Sequence, residues 1–247
     1  MKTIGSTIIM LALASSLFAD NGKELKLASP DGTHEIVFYQ KQVSPAVNEL
    51  CYRVDYKSQP VVNESRAGLE LDNRIWEMAL GVRNLKQPAC WMDNLEVDSV
   101  TYQPETNLTW QPLYGERSSV RDHYRAGTLC LSKKDNSGYR LNIEVRAYNE
   151  GVAFRYFFPE HPKAIFHKVV GDLTEYALPA GTKAWTEQWA QAFFERLNID
   201  DIKHPVERAL TFELPNGKWA ALADADVDDW CLTKYLVSTD KKNTCLL

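Results

Sequence analysis

The chain has 247 residues, 45% of them hydrophobic and 25% charged, with a formal net charge of −5 at pH 7. A phosphate backbone is gripped by clustered Lys and Arg, and here 28 basic residues are scattered among 33 acidic ones, so nucleic acid is excluded as a partner. The five cysteines, Cys51, Cys90, Cys130, Cys231 and Cys245, are odd in number and irregularly spaced, and no Cys-x-x-Cys or Cys/His cluster accompanies them, which excludes a disulfide framework and a zinc site.

Residues 1–19 read as a secretory signal, because Lys2 precedes an apolar run from Ile8 to Leu13 and small residues follow it. Cleavage after Ala19 and cleavage at Ala12-Leu13-Ala14 both fit. The run is too short to span a bilayer, which takes about 20 apolar residues, and no cysteine stands near either site to carry a lipid. Residues 20–247 then fit one all-β domain, since such sandwiches commonly reach about 200–250 residues as a single unit.

From Leu25 to about Phe158 the sequence predicts strand after strand. Cys51 and Cys130 fall at apolar positions of predicted strands, where a thiol behaves as a small hydrophobe. Turn chemistry marks Pro30-Asp31-Gly32 before a strand from His34 to Gln40, and Asp135-Asn136-Ser137-Gly138 after a strand from Thr128 to Lys133. The run from Tyr139 to Tyr148 alternates apolar and polar without a break, which puts five side chains on a buried face and five in solvent. Asn149-Glu150-Gly151 then reverses the chain into Val152–Phe158, with Gly151 expected to supply a positive φ. No internal repeat or low-complexity tract interrupts the pattern.

Between Pro159 and Pro205 the pattern loosens. Trp189, Phe193 and Leu197 recur at helical spacing, while Pro162, Pro179 and Gly181 break the stretch into loop, so a short helix and an extended loop are both open. Pro215-Asn216-Gly217 then joins Leu210–Leu214 to Lys218–Leu222 as a hairpin. The recurring turns predict an all-β fold.

Two stretches are specific enough to name a family: Leu113-Tyr114-Gly115-Glu116-Arg117-Ser118-Ser119-Val120-Arg121-Asp122-His123-Tyr124 and Val145-Arg146-Ala147-Tyr148-Asn149-Glu150-Gly151-Val152-Ala153-Phe154-Arg155-Tyr156. They resemble the amino-terminal domain of glycoside hydrolase family 97, secreted bacterial α-glucosidases and α-galactosidases, and a looser likeness runs from Ser29 to about Trp230. The resemblance implies a β-supersandwich, galactose-mutarotase-like, of two large and mostly antiparallel sheets. It also implies a periplasmic location in a Gram-negative bacterium, a carbohydrate substrate for the parent enzyme, and a catalytic (β/α)8 barrel following this domain. Hydrolysis of a glycosidic bond takes two carboxyl groups flanking the scissile oxygen, and the family carries them on that barrel. The expectation is a domain cut short of its catalytic half and inert as a hydrolase, with a free-standing carbohydrate-binding module and a mutarotase-like enzyme as the alternatives.

The resemblance also assigns site residues. Glu116, Arg117, Arg121 and Asp122 would orient the sandwich against the barrel; read on their own they form local ion pairs, with Arg117 reaching Glu116 or Asp122. Glu195 stands where the family places a ligand to a Ca2+ ion, although Ala190-Gln191-Ala192-Phe193 depart from the usual pattern; otherwise it is a solvated surface glutamate. Leu222-Ala223-Asp224-Ala225 departs as well, where relatives show a histidine followed by glutamate and alanine. Of seven tryptophans, Trp185 and Trp189 are the candidates for stacking on a sugar, and Trp76, Trp91, Trp110, Trp219 and Trp230 are assigned to core or domain interface. A mutarotase would need an acid and a base across one ring, for which His123, beside Asp122, is the best-placed histidine.

Overall fold

The computed structural model describes residues 23–45, 47–72, 94–134, 137–161, 166–227 and 230–247, together with Met78 and Gly81. The signal segment, Trp76, Trp91, Cys90, Asp135, Asn136 and Pro162 lie outside the described residues.

The first sheet is a meander of β1 (Glu24–Ala28), β2 (His34–Ser44), β3 (Val47–Tyr56) and β4 (Gln59–Arg66), hydrogen-bonded in that order. After β5 (Leu69–Leu71), a second sheet is built from β6 (Glu96–Tyr102), β7 (Thr106–Trp110), β8 (Val120–Ser132), β9 (Arg140–Tyr148) and β10 (Gly151–Phe157), in the order β10-β9-β8-β6 with β7 also on β8. β11 (Val169–Asp172) pairs with β5, and β12 (Glu175–Ala177) lies beside β4. The remainder is β13 (Lys183–Thr186), β14 (Glu195–Asn198), a 3-10 turn at Ile199–Asp201, β15 (Leu210–Glu213), β16 (Trp219–Leu222), β17 (Leu236–Val237) and β18 (Thr244–Leu246). These form a sheet in the order β14-β13-β15-β16 and a three-stranded one in the order β12-β18-β17. Every pairing among these strands is antiparallel. The all-β expectation is met.

Side-chain alternation explains the layering. In β9, Leu141, Ile143, Val145 and Ala147 are all at most 1% exposed, and their neighbours face the other way. Together with Tyr139 they fill the five buried positions predicted for this stretch. They meet β1 and β2, which lie against β8, β9 and β10 and contribute Leu25, Leu27, Ile36 and Phe38. Phe38 stacks on Tyr52 at 5.2 Å and meets Phe154 edge-on at 5.1 Å, so one aromatic group joins the two layers. β1 approaches β8 closely because Gly127 has no side chain; a Cβ there would stand 3.0 Å from Leu25 Cδ1.

The turns follow their chemistry with one exception. Gly32 and Gly217 adopt φ of 72° and 78°, as the reversals at Pro30 and Pro215 require. Gly151 does not. The β9–β10 reversal is completed within Asn149 and Glu150, and Gly151 is already paired with Tyr148 as the first residue of β10, so no left-handed residue is needed there. The helical spacing of Trp189, Phe193 and Leu197 is overridden too: β13 and β14 form a hairpin, and Leu197 pairs with Ala184.

Cys51 is buried and Cys130 partly buried, and Cys51, Cys130, Cys231 and Cys245 are all free thiols. Burial pushes the Cys51 thiol up to about 11 and the Cys245 thiol up to about 12, which keeps both protonated and unreactive at neutral pH.

Beyond β10, Phe158 stacks on His167 at 4.6 Å and Tyr139 contacts His161 at 5.3 Å. Burial, reinforced by the nearby His161, lowers the His167 pKa from 6.5 to about 4. Because the unfolded chain binds the proton more readily, this neutral imidazole contributes stability that is complete above pH 6.5 and is lost as pH falls towards 4. His34, lowered chiefly by burial, acts in the same direction. The His167 shift corresponds to about 3 kcal/mol at face value and to about 1–2 kcal/mol once its partial exposure is discounted. Urea midpoints should therefore fall between pH 6.5 and 5, a range above the titration of Asp31, Glu64, Asp98 and Glu105, whose pKa values are all lowered. His167→Gln should flatten that slope; an unchanged slope would rule the assignment out.

Candidate functional site

β10 closes one edge of the second sheet and β16 closes one edge of the β14-β13-β15-β16 sheet. Between them opens a cleft of about 850 Å³. Its apolar wall comes from the partly buried Phe154 and Tyr176, backed by the fully buried Tyr52 and Phe212. Trp219 and Trp230 also line it and remain 55% and 39% exposed.

Polar groups gather in the same cleft. Asp172 ends β11 and accepts a 2.9 Å hydrogen bond from the Thr174 N–H, while the Thr174 hydroxyl lies 2.6 Å from the Tyr156 hydroxyl. The Gly68 N–H donates to Tyr156 Oη at 2.8 Å. Asp224 follows β16 and forms an ion pair with Arg208; Thr233 Oγ1 donates to the same carboxylate at 2.8 Å. Burial raises the Asp172 pKa, the Thr174 hydrogen bonds oppose that, and the charge of Asp224 adds to it. Both carboxylates line the same cleft. The Tyr235 hydroxyl is buried without a hydrogen-bond partner among the described residues, and its ring packs edge-on to that of Tyr176 at 5.8 Å.

The residues singled out in the sequence lie elsewhere. Glu116 and Arg117 sit exposed in the link between β7 and β8, beside Leu113 and Tyr114, which are 100% and 90% exposed. The ion pairs expected for Arg117 do not form among the described residues. Arg121 Nε instead donates to Asn107 Oδ1 at 3.0 Å, Asp122 pairs with Leu108 in the β7–β8 register, and the local charge cluster is Glu105 with His123 and Arg125, at 2.7 and 3.0 Å. His123 is thus committed to Glu105 through Nε2, with Nδ1 buried and unpartnered.

Trp185 is on β13 and Trp189 in the β13–β14 turn, 39% and 57% exposed, near the exposed Phe193 and Phe194. Glu195 opens β14 opposite Thr186, also exposed. Among the described residues no three His, Cys, Asp or Glu side chains cluster to hold a metal. Calcium takes 6–8 oxygens, so Glu195 does not make a calcium site by itself.

Trp110, assigned to core or interface, is 53% exposed on β7. Trp219, on the edge strand β16, and Trp230, in the segment after it, are likewise at the surface, where a domain interface but not the core would place them. No local motif marks Asp172, Tyr176 or Arg208, and Arg208 lies more than thirty residues beyond the other two. Asp224 alone stood out, through its departure from the pattern of relatives.

The fold defines an all-β module built of antiparallel sheets. The chain belongs to the glycosyl-hydrolase 97 N-terminal family, whose model matches residues 27–245. A retaining α-galactosidase of Bacteroides thetaiotaomicron is 26% identical over 178 residues, covering 72% of this chain and 22% of that protein. A glycoside hydrolase family 97 enzyme from Pseudoalteromonas sp. strain K8, solved in complex with acarbose and with panose, superposes with a TM-score of 0.75 at 22% identity, over 90% of this chain and 31% of its own. A β-arabinopyranosidase superposes with a TM-score of 0.71 at 16% identity, over 90% of this chain and 35% of its own. The chain thus spans about a fifth to a third of the length of these relatives.

Proposed function

We propose that this chain is the non-catalytic amino-terminal domain of a secreted bacterial α-glycosidase, which packs on a catalytic (β/α)8 barrel supplied outside these 247 residues and borders its active site. One observation carries the reading. Apart from the cleft rim, exposed apolar side chains gather on β7 and the link after it, with Leu108, Trp110, Leu113 and Tyr114, and on the β13–β14 hairpin, with Trp185, Trp189, Phe193 and Phe194. Single-domain soluble proteins rarely leave such groups open, and contacts between domains of one chain typically bury about 600–1,500 Å².

On this reading Glu116, Arg117, Arg121 and Asp122 form the polar part of the contact, Trp185 and Trp189 stand at the sugar-facing rim, and Glu195 lends one carboxylate to a calcium ion whose other ligands come from the barrel. The signal-like residues 1–19 direct the protein to the periplasm. The domain supplies shape, position and exclusion of water, and the bond-breaking acids belong to its partner. Purified protein incubated with p-nitrophenyl α-glucoside and α-galactoside, with calcium present, should release no p-nitrophenol above buffer. Because Asp172 and Asp224 share a cleft, this assay has a real chance to contradict the proposal, and turnover abolished by Asp172→Asn would do so.

A further inference from the structure

We infer that the β10–β16 cleft is a saccharide-binding pocket of this domain, separate from Trp185 and Trp189, with Asp172, Tyr176 and Asp224, which Arg208 holds from behind the lining, as its polar end and Trp219 and Trp230 as its aromatic rim. The inference deepens the reading of this chain as a carbohydrate-associated domain and rests on it for the choice of ligand class.

Its volume of about 850 Å³ falls within the range of small-molecule sites, about 300–1,000 Å³, which are mostly apolar with a few convergent polar groups. A pyranose has that same division, an apolar C–H face and a rim of hydroxyls. Indoles at Trp219 and Trp230 offer flat apolar surface at the mouth. The carboxylates of Asp172 and Asp224 can accept the charge-assisted bonds that fix hydroxyl groups. Tyr176, which lines the same cleft, adds a hydroxyl.

The rival occupant is a polypeptide strand, since β10 and β16 both present unpaired edges and strand addition uses such edges. The polar end argues against it. An added strand between these apolar walls would bury Asp172 and Asp224 deeper, with alternating apolar side chains that return no hydrogen bonds, and desolvating a carboxylate without a partner is costly. Hydroxyl groups of a sugar satisfy the same atoms.

Tryptophan fluorescence of the purified protein, titrated with D-glucose, D-galactose, maltose and panose, reads the pocket directly. At least one of these should give saturable quenching, and Trp219→Phe/Trp230→Phe should remove most of that signal. Ala221→Trp, which fills the cleft from the exposed side of β16, should weaken binding at least tenfold as followed by calorimetry, while Leu108→Ala on β7 stays within twofold. Asp172→Asn is the second pocket variant should Ala221→Trp fail to fold, with near-UV circular dichroism as the check. No saturable binding of any of the four sugars up to 50 mM overturns the inference, as does binding lost in Trp185→Ala/Trp189→Ala but kept in Ala221→Trp. Self-association blocked by Ala221→Trp, with no sugar binding, assigns the cleft to a strand of a second copy instead. Because the readout is binding, failure here leaves the hydrolase-domain reading intact, and that reading fails separately, on turnover.

Discussion

Phe38→Ala should cost about 3–5 kcal/mol, the usual range for removing a buried phenylalanine from a close-packed core. Phe38 is fully buried and touches both layers: it stacks on Tyr52 of β3 and meets Phe154 of β10 edge-on. Tyr52 is anchored in turn by its hydroxyl, which donates to the Glu175 carbonyl at 2.6 Å. A hole at Phe38 therefore cannot close by moving one neighbour, because each neighbour is held by a different strand. For a domain of this size about 1 kcal/mol lowers the melting temperature by about 2–4 °C, so the variant should melt about 6–20 °C below the parent. Leu108→Ala, at a position 63% exposed on β7, should stay within about 0.5 kcal/mol. Urea denaturation with an unchanged slope and a lowered midpoint would confirm that stability, and not the unfolded state, has changed. Should the two variants melt together, the aromatic joint does not hold the layers.

The strands around that joint were legible in the sequence because period-two alternation survives wherever one face of a strand is buried. Tyr139 to Tyr148 shows it in full, and the turn residues at Gly32 and Gly217 bracket their strands as their chemistry demands. Legibility failed where alternation is short. The strands β11 to β14 have only three or four residues each, too few to compete with an accidental helical spacing such as Trp189, Phe193 and Leu197. The exposed rims at Glu116–Arg117 and Trp185–Trp189 were visible as motifs, through the resemblance to a family. The cleft was not visible at all, because Asp172, Arg208 and Asp224 are brought together only by the pairing of β11 with β5 and of β15 with β16. Nothing in local sequence encodes that meeting. An apolar edge strand such as β16 looks the same in sequence whether its far side is covered or open, which is also why Trp219 is assigned to core or domain interface without a choice between them.

Arg208→Ala should be the most damaging change among the polar residues of the cleft. The guanidinium is 14% exposed and its partner Asp224 is 21% exposed, so the pair sits mostly out of water. Breaking a buried pair by removing one partner costs about 3–5 kcal/mol, because the remaining charge is stranded; with this residual exposure about 2–3 kcal/mol is expected. Asp224 would keep only the Thr233 hydroxyl, with no cation left to balance its charge. The stranded charge, not the lost attraction, is the larger part of that cost, and a double-mutant cycle separates the two. Arg208→Leu/Asp224→Leu should recover most of the stability lost in Arg208→Ala, since replacing both ions by apolar groups removes the unpaired carboxylate. Sugar binding should not return with it, because the polar end of the pocket is gone. If the double variant is as unstable as the two single ones summed, Arg208 acts through the packing of its aliphatic stem, and the pair at the end of the cleft has no electrostatic role to offer a ligand.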